Sequence, residues 1–261
     1  MKIALDAMGG DHAPAVTVEG SIETVSEYND LEIILFGDEA KLKKELKGRH
    51  YPHDRIHVKH TSQVVDMHES PVAAIRKKKD SSIKRAVEAV RDKEADAVVS
   101  AGNSGVAMAT ALFTLGMSKG VDRPAIAAVM PTLKGSFILI DAGANVDCVP
   151  ENLLQFALMG SSYSRAIFGR KEPKIALLSI GEEDTKGNEL TREAFSLLKG
   201  ANINFIGNME GKDIFMGDAD VVVCDGFIGN VVLKTSEGLA DVILKMLKRE
   251  VAGLATGRIG Y

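Results

Sequence analysis

Five loops in this sequence have a composition suited to binding an anion, because each follows an apolar run and combines glycine with asparagine or aspartate. They span residues 6–12 (DAMGGDH), 100–105 (SAGNSG), 141–145 (DAGAN), 181–188 (GEEDTKGN) and 225–230 (DGFIGN). Glycine lets the backbone approach a ligand closely, and a helix that begins after such a loop directs free N–H groups and the positive end of its dipole towards that ligand. The loops predict a cradle for phosphate or carboxylate, although the same residues are common in ordinary turns.

Two side chains in these loops could take part in chemistry at a bound anion. Lys186 lies beside Gly187 and Asn188, where its ammonium group could neutralise a phosphate or a developing oxyanion. His12 follows the glycine pair of the first loop, where an imidazole could carry a proton or orient a ligand. The alternatives are an ordinary solvated lysine and an ordinary turn histidine.

The sequence lacks the motifs of several common nucleotide, metal and hydrolase sites. It contains neither GxxxxGK[ST] nor GxGxxG, and neither HExxH nor GxSxG. Four closely spaced histidines, His50, His53, His57 and His60, have the composition of a metal cluster. Because residues 55–60 (RIHVKH) have the pattern of a strand, His57 and His60 should point to opposite faces, which favours a solvated surface over a metal site.

Apolar strands alternate with helices along the whole chain. The predicted strands span residues 2–5, 31–36, 55–58, 95–100, 125–130, 136–140, 174–179, 204–207 and 221–224. The predicted helices span residues 16–28, 39–46, 71–79, 82–90, 105–115, 151–167, 190–198 and 231–251, the last as one helix or two. This alternation indicates a largely parallel sheet covered on both faces, with the strand-end loops meeting along one edge.

The composition is that of a folded protein in a reducing compartment. Of 261 residues, 45% are apolar and 26% charged, and the formal charge is −4, which disfavours a disordered chain and a general nucleic-acid binder. The longest apolar runs are too short for a membrane span, and the N-terminus lacks the apolar region of a signal peptide. Cys148 and Cys224 lie far apart and outside any CxxC pair, so a cytoplasmic location is expected.

A basic run and the last helix each allow two interpretations. Residues 76–79 (RKKK) lie in a predicted helix and form either a solvated face or a docking patch for an acidic protein. The last helix has one apolar face with basic residues nearby, which suits a membrane surface, a dimer or the core. That face comprises Leu239, Val242, Ile243, Met246 and Leu247, and the basic residues are Lys245, Lys248 and Arg249.

Six segments together resemble a known family. They are IALDAMGGDHAP at 3–14, ESPVAAIRKKKDSS at 69–82, ADAVVSAGNSGVAMA at 95–109, DAGANVDCVPENLLQFALMG at 141–160, LLSIGEEDTKGNELT at 177–191 and the run from 205 to 238. In these segments the chain resembles the bacterial phosphate acyltransferases of phospholipid synthesis, the PlsX family of acyl-ACP:phosphate acyltransferases. The resemblance runs nearly end to end.

The resemblance implies a fold and a reaction. The fold is a three-layer α/β/α sandwich with a largely parallel mixed sheet, similar to the isocitrate/isopropylmalate dehydrogenases and the phosphotransacetylases. The reaction converts acyl carrier protein thioester (acyl-ACP) and inorganic phosphate into acyl phosphate and free carrier protein. The resemblance also implies a single catalytic domain over residues 1–261, without the C-terminal segment that follows in family members.

The resemblance further implies an oligomeric state, a cellular location and binding partners. A homodimer is expected, in the cytoplasm and loosely associated with the membrane surface, where a membrane glycerol-3-phosphate acyltransferase uses the acyl phosphate. The acyl carrier protein and inorganic phosphate are the expected substrates. No metal, no cofactor and no nucleic-acid partner is implied.

Matching the loops to this reaction gives a set of expected site residues. The expected catalytic groups are Lys186, Asn230, His12 and Asn188. The expected phosphate- and substrate-binding residues are Gly9, Gly10, Asp11, Gly102, Asn103, Ser104, Asp141, Asn145, Asp225 and Gly229. For the acyl chain the candidates are Val106, Met108, Leu112 and Phe113, for which ordinary helix packing is the alternative.

Three other functions remain open at this stage. A phosphotransacylase that uses acyl-CoA would need the same loops. A metal- and NAD-dependent hydroxyacid dehydrogenase of the same fold would need an aspartate metal site and nicotinamide contacts. A non-catalytic scaffold that recruits lipid-synthesis enzymes to the membrane would rely on the last helix.

Overall fold

The computed structural model describes residues 1–253, and the chain divides into two compact units after Lys119. Unit 1 is Met1–Lys119 and unit 2 begins at Gly120. Neither a composition shift nor a polar linker marks this division in the sequence.

Unit 1 contains a four-stranded sheet in the order β3-β2-β1-β4. Its strands are β1 (Lys2–Asp6), β2 (Glu32–Gly37), β3 (Ile56–His60) and β4 (Ala97–Ser100), and all neighbouring pairs are parallel. Its helices are α1 (Ala15–Glu27), α2 (Glu39–Leu46), α3 (Pro71–Lys77), α4 (Ser82–Arg91) and α5 (Ser104–Leu115).

Helices cover both faces of the unit 1 sheet, as the apolar strands require. On one face, α1 and α2 bury Val18 and Leu42 against Leu35 of β2. On the other face, α4 buries Ala86 against Ile34. The α3 and α5 helices pack on α4 through a separate small core. Alternate residues of β2 therefore enter opposite cores, which explains why the strand is apolar throughout.

Unit 2 contains a five-stranded sheet in the order β5-β6-β9-β7-β8. Its strands are β5 (Ala127–Thr132), β6 (Gly135–Ile140), β7 (Ile175–Ser179), β8 (Phe205–Glu210) and β9 (Val221–Val223). Only the β5–β6 pair is antiparallel. The helices are α6 (Pro150–Phe168), α7 (Glu189–Gly200) and α8 (Gly226–Gly253).

The unit 2 sheet is also packed on both faces. Against one face, α6 and α7 bury Phe156 and Leu198 together with Val221 and Val223 of β9. Against the other lie Ile214 and Phe215 and the start of α8, through Leu233. Beyond this start the apolar residues of α8 are exposed. No helix within residues 1–253 combines the length and apolarity needed to cross a membrane.

The predicted α/β class and its largely parallel strands are confirmed, and each predicted element is present within a few residues. Two expectations need correction. The strands form two sheets, so the five loops divide into two at the edge of unit 1 and three at the edge of unit 2. Residues 226–230, predicted as a loop, form the start of α8, and Asp225 caps that helix. Gly226 and Gly229 are needed there because the helix lies very close to the 141–145 loop.

Within each sheet, the glycine loops lie where the strand order changes direction. In unit 1 the chain moves outward from β1 to β2 and β3, then returns to place β4 on the other side of β1. In unit 2 it moves from β6 to β7 and β8, then returns to insert β9 between β6 and β7. The carboxyl ends of strands at such switch points form the ligand crevice of open α/β sheets.

Gly160 in α6 provides a test of the packing in unit 2. A Cβ atom there would lie 2.5 Å from Val221 Cγ1 and 3.2 Å from Ile140 Cγ2, whereas one at Gly200 of α7 would meet nothing within 4 Å. We predict that Gly160→Ala lowers the free energy of unfolding by about 2 kcal/mol because overpacking exceeds the gain in helix propensity. Gly200→Ala is the matched control and should leave the free energy of unfolding unchanged or raise it slightly. Urea unfolding measures both, and equal stabilities for the two variants would contradict the packing described.

Candidate functional site

The first cluster of predicted site residues lies in unit 1, where the loops after β1 and β4 meet. A Cβ atom on Gly9 would lie 2.6 Å from Asp6 Oδ2 and 2.9 Å from the backbone nitrogen of Gly102, so this approach requires glycine. The Ser100 hydroxyl donates to Asp6 Oδ2 at 2.8 Å and accepts from the N–H of Gly102 at 3.1 Å. Asp6 Oδ1 is buried without a hydrogen-bond partner among the described residues. Asp6 therefore ties the two loops together.

Both polar atoms of the Asn103 side chain form hydrogen bonds with backbone groups. Its Oδ1 accepts from the N–H of Val106 at 3.0 Å and so caps α5. Its Nδ2 donates to the carbonyls of Met67 at 2.8 Å and Glu69 at 3.1 Å. Any contact between Asn103 and a substrate is therefore left to its backbone, while Ser104, the first residue of α5, is exposed.

The other predicted residues of this cluster lie at its rim. Gly10 has a φ of +101°, and a Cβ atom on it would lie 3.1 Å from the Ala101 carbonyl. Asp11 and His12 are exposed at the far end of the same loop. The structure thus brings Gly9, Gly10 and the start of α5 to one edge, with His12 beyond them in solvent.

The second cluster lies in unit 2 and is built on Asp141, the fully buried residue after β6. Its Oδ1 accepts from the N–H groups of Ile126 and Ala144, both at 3.0 Å. Its Oδ2 accepts from the N–H and the Nδ2 of Asn145 at 2.7 and 2.8 Å. The Asn145 amide also donates to the Pro124 carbonyl at 2.8 Å. Asp141 and Asn145 thus shape the loop, and direct contact of either with substrate remains a prediction.

The loop held by Asp141 packs against the first turn of α8. The N–H of Gly226 donates to the Asn145 carbonyl at 2.7 Å. A Cβ atom on Gly226 would lie 2.6 Å from that same oxygen, and one on Gly229 would overlap the Asp141 carbonyl. Both glycines are therefore required by this approach of helix and loop.

The start of α8 carries two further predicted residues. Asp225 caps the helix, since its Oδ1 accepts from the N–H of Ile228 at 3.0 Å, and a carboxylate there also interacts favourably with the helix dipole. Asn230 is exposed, and its side chain lies against Gly143, where a Cβ atom would be 3.4 Å from Asn230 Cβ and Oδ1. Asn230 and the 141–145 loop are thus neighbours.

A cavity of about 320 Å³ lies at the ends of β7 and β9. Its lining combines apolar and polar side chains: Leu178, Ser179, Ile180, Gly187, Asn188, Thr191, Cys224, Asp225 and Ile228. Asn188 Oδ1 accepts from the N–H of Thr191 at 2.9 Å and caps α7. The cavity therefore places the amide of Asn188 beside the cap of α8.

Lys186 is exposed near this cavity. Its stem packs on Gly181, where a Cβ atom would lie 2.8 Å from Lys186 Cγ. Lys186 forms no ion pair with the carboxylates of residues 1–253. Its positive charge is therefore available to an anion arriving from solvent.

One group at this site is missing from the predictions. The hydroxyl of Ser179 is buried, lines the cavity and has no hydrogen-bond partner within residues 1–253. Its position between an apolar strand and a glycine loop is the signal that identifies it in the sequence. Ser179 is a further donor for a ligand in this cavity.

The two cysteines are unsuited to act as nucleophiles. Burial raises the pKa of the Cys224 thiol well above its usual value, and the nearby Asp225 and Asp141 carboxylates raise it further. Burial likewise raises the pKa of Cys148. A thiol with a raised pKa holds little thiolate at neutral pH, so both cysteines act as packing groups.

The four closely spaced histidines contact different elements. His57 Nε2 lies 3.4 Å from Glu32 Oε2, and His60 Nδ1 accepts from the N–H of Glu39 at 3.3 Å. Both side chains are exposed. Within residues 1–253, no three histidine, cysteine or acidic side chains come together as a possible metal site.

Asp141 and Asp225 both follow strands but should respond differently to amidation. We predict that Asp141→Asn lowers the free energy of unfolding by about 3 kcal/mol, because an amide NH₂ would face N–H donors in a buried site. Asp225→Asn is the matched control and should change it by less than about 0.5 kcal/mol, since asparagine caps helices as well as aspartate does. Chemical denaturation compares the two, and an Asp141→Asn variant as stable as the control would contradict the role given to Asp141.

Comparison with known proteins places the chain among bacterial lipid-synthesis proteins. The family described as "Fatty acid synthesis protein" matches residues 1–260. The phosphate acyltransferase of Thermodesulfovibrio yellowstonii is 57% identical over 261 residues, which cover 100% of this chain and 75% of that protein. The phosphate acyltransferase of Pelotomaculum thermopropionicum is 54% identical over 260 residues, with the same coverage.

Solved structures with little sequence similarity share the fold. A phosphotransacetylase from Streptococcus pyogenes superposes with a TM-score of 0.68 at 18% identity, covering 92% of this chain and 82% of that one. The EutD phosphotransacetylase from Staphylococcus aureus gives a TM-score of 0.65 at 19% identity with the same coverage. The family match and the sequence similarity both extend over this chain, which belongs to the fatty acid synthesis protein family, together with these bacterial phosphate acyltransferases.

Proposed function

We propose that the protein is a phosphate acyltransferase that transfers an acyl group from acyl carrier protein to inorganic phosphate. The observation that carries this proposal is the 57% identity, over the whole chain, to a protein of that name. The geometry supplies what the reaction needs: glycine loops at strand ends, capped helix N-termini and an exposed lysine, Lys186, that has no ion-pair partner in the described part of the chain.

The reaction needs no covalent enzyme intermediate, because phosphate is itself a nucleophile. An oxygen of the hydrogen phosphate dianion attacks the thioester carbonyl carbon and forms a tetrahedral oxyanion. The C–S bond then breaks and the acyl–O–P linkage remains. The carrier thiolate leaves easily, since its pKa is about 8–9, and takes up the proton that phosphate loses. The protein must hold and desolvate the phosphate and stabilise the oxyanion.

The unit 2 cluster provides groups for both tasks. We assign Lys186 to neutralise the phosphate or the oxyanion and the amides of Asn188 and Asn230 to donate hydrogen bonds to them. The Ser179 hydroxyl supplies a further donor, and Gly229 is assigned to the site for the close approach of α8 to the 141–145 loop. Asp141 and Asn145 hold the loop against α8, and Asp225 caps that helix.

The unit 1 cluster is assigned to binding and to proton transfer. The backbone N–H groups of residues 103 and 104 suit an anion at the start of α5, and Gly102 and the glycine pair at 9 and 10 let the backbone approach it closely. His12 and Asp11 are exposed at the rim of this cluster. We assign His12 to carry the proton that moves from phosphate to the leaving thiolate.

We further propose that the protein is a cytoplasmic homodimer that touches the membrane surface. The support is α8, whose residues Leu239, Val242, Ile243, Met246 and Leu247 are between 46% and 62% exposed, with Lys245 and Lys248 on the same helix. Such a helix suits a second copy of the chain or an anionic bilayer. A membrane glycerol-3-phosphate acyltransferase is the proposed consumer of the acyl phosphate.

A hydroxylamine trap tests the reaction. The protein is incubated with palmitoyl-ACP and inorganic phosphate, hydroxylamine is added, and palmitoyl hydroxamate is measured by mass spectrometry with a no-phosphate control. We predict phosphate-dependent hydroxamate. A higher rate with palmitoyl-CoA than with palmitoyl-ACP would favour the phosphotransacylase alternative, and no product with either donor would favour a non-catalytic scaffold.

Two substitutions test the site within the same assay. We predict that Lys186→Ala and Asn230→Ala each retain the wild-type melting temperature but lose at least about 100-fold in turnover, because each removes a group that stabilises charge in the transition state. Lys171→Ala and Asn202→Ala, at exposed positions of the same unit, are the matched controls and should keep wild-type rates. Normal turnover by Lys186→Ala or Asn230→Ala would overturn that assignment.

The exposed face of α8 can be tested without shortening the chain. We predict that Val242→Asp combined with Met246→Asp abolishes dimerisation, membrane binding or both while the circular dichroism stays unchanged, because the substituted side chains are already solvent-exposed. Sedimentation measures the dimer, and flotation with vesicles containing anionic lipid measures membrane binding. A wild-type monomer that also fails to float would contradict both proposals.

A further inference from the structure

A strongly basic groove lies on unit 1, outside the clusters described above. Residues 71–93 contain eight Lys or Arg and three Asp or Glu residues, so this segment carries a formal charge of +5 while the whole chain carries −4. The segment forms α3 and α4, which pack with α5 around a cavity of about 360 Å³. Its lining includes Lys78, Lys79, Lys84 and Arg91 together with Ile75 and Phe113.

The acidic groups around the groove leave it positive. Three of its cations each have one acidic neighbour: Lys78 with Glu69, Lys84 with Glu88, and Arg91 with Asp92. Glu88 is the only acidic residue that lines the cavity. Within residues 1–253, Lys79 donates only to the Ile75 carbonyl, at 3.0 Å, and forms no ion pair. The groove therefore presents more positive than negative charge to solvent.

An aromatic side chain lies uncovered in the same groove. Phe113 is 76% exposed, while Val106, earlier on α5, is buried against α3 and α4. An exposed phenyl ring is unfavourable to leave in water but typical of protein–protein contacts, where aromatic residues and arginine are enriched. Phe113 thus serves as an apolar anchor and not as core packing.

The groove adjoins the strand-end loop of unit 1. Asn103 holds the 66–69 segment, which precedes α3, against the start of α5. Phe113 lies nine residues after Ser104 on that helix, about 13 Å along its axis at 1.5 Å per residue. A protein seated in the groove therefore lies within reach of the loop where phosphate is proposed to bind.

We propose that the groove between α3, α4 and α5 is the docking surface for the carrier protein that delivers the acyl thioester, and that this carrier docks through an acidic face. The inference rests on the proposed function, which makes a protein the acyl donor. Carboxylates on the carrier pair with Lys79 and Arg91, and an apolar residue covers Phe113. The groove is concave, which fits a protruding protein element better than a flat anionic bilayer.

Charge reversal in the groove tests this inference. The dissociation constant for palmitoyl-ACP is measured by titration for the full chain, for Lys79→Glu combined with Arg91→Glu, and for the milder Lys79→Gln combined with Arg91→Gln. The matched control reverses Lys41 and Lys44, two exposed lysines of α2 on the opposite face of the unit 1 sheet. All variants are checked for wild-type melting temperature.

We expect the reversed groove to weaken binding by about tenfold or more and the glutamine variant by less, with the control within about twofold of wild type. Wild-type binding should also weaken as salt rises. A carrier protein whose exposed acidic residues are replaced by lysine should bind the reversed groove better than it binds the wild type. Equal weakening by groove and control variants, or unchanged binding by the reversed groove, would overturn the inference.

Two further readouts separate this inference from the proposed function. If the wild-type chain binds palmitoyl-ACP through the groove but forms no phosphate-dependent hydroxamate, the proposed reaction fails and the docking surface stands. If it forms hydroxamate while the reversed groove keeps the wild-type KM for palmitoyl-ACP, the docking surface fails and the reaction stands. Loss of binding to anionic vesicles with unchanged carrier affinity would assign the groove to lipid and overturn the proposal.

Discussion

The candidate site of unit 2 depends on the buried carboxylate of Asp141. Four N–H groups converge on its two oxygens, and they come from Ile126 just before β5, from the loop after β6 and from the side chain of Asn145. A buried charge is tolerated only when such donors satisfy it. The loop held in this way receives the first turn of α8, where Gly226 and Gly229 allow helix and loop backbones to touch. This contact brings Asn230 against Gly143 of the loop that the carboxylate holds.

Unit 1 also has an aspartate that holds its loops, Asp6, but this side chain accepts fewer hydrogen bonds than Asp141. Asp6 is the last residue of β1, accepts from Ser100 and holds two glycine loops in backbone contact. In both units a short acidic side chain at a strand end organises the glycines around it. The aspartates therefore shape the loops that we propose as anion cradles, and we assign the positive potential there to helix N-termini and to Lys186. Because the carboxylates of Asp6 and Asp141 form hydrogen bonds within the protein, acidic residues can occur in loops proposed to bind phosphate.

Much of the fold could be predicted from the sequence, because continuous apolar strands separated by amphipathic helices have few other solutions. Two features could not be predicted. The division into two sheets depends on which strands pair, and local periodicity does not encode pairing. The start of α8 at Gly226 depends on its contact with the 141–145 loop, because DGFIGN taken alone has the composition of a turn. Similarly, residue type predicts Asn103, Asn145 and Asn188 as ligand-binding, while the structure shows that their amides first satisfy backbone groups.

In the proposed reaction, phosphate attacks the thioester without an acyl-enzyme intermediate, and this can be tested by measuring the early release of thiol. The protein is mixed rapidly with palmitoyl-ACP, and free carrier thiol is followed with and without inorganic phosphate. Direct attack predicts no thiol release without phosphate and continuous release with it, in agreement with the raised pKa of both cysteine thiols. A burst of one thiol per chain in the absence of phosphate, or no release under either condition, would contradict the account.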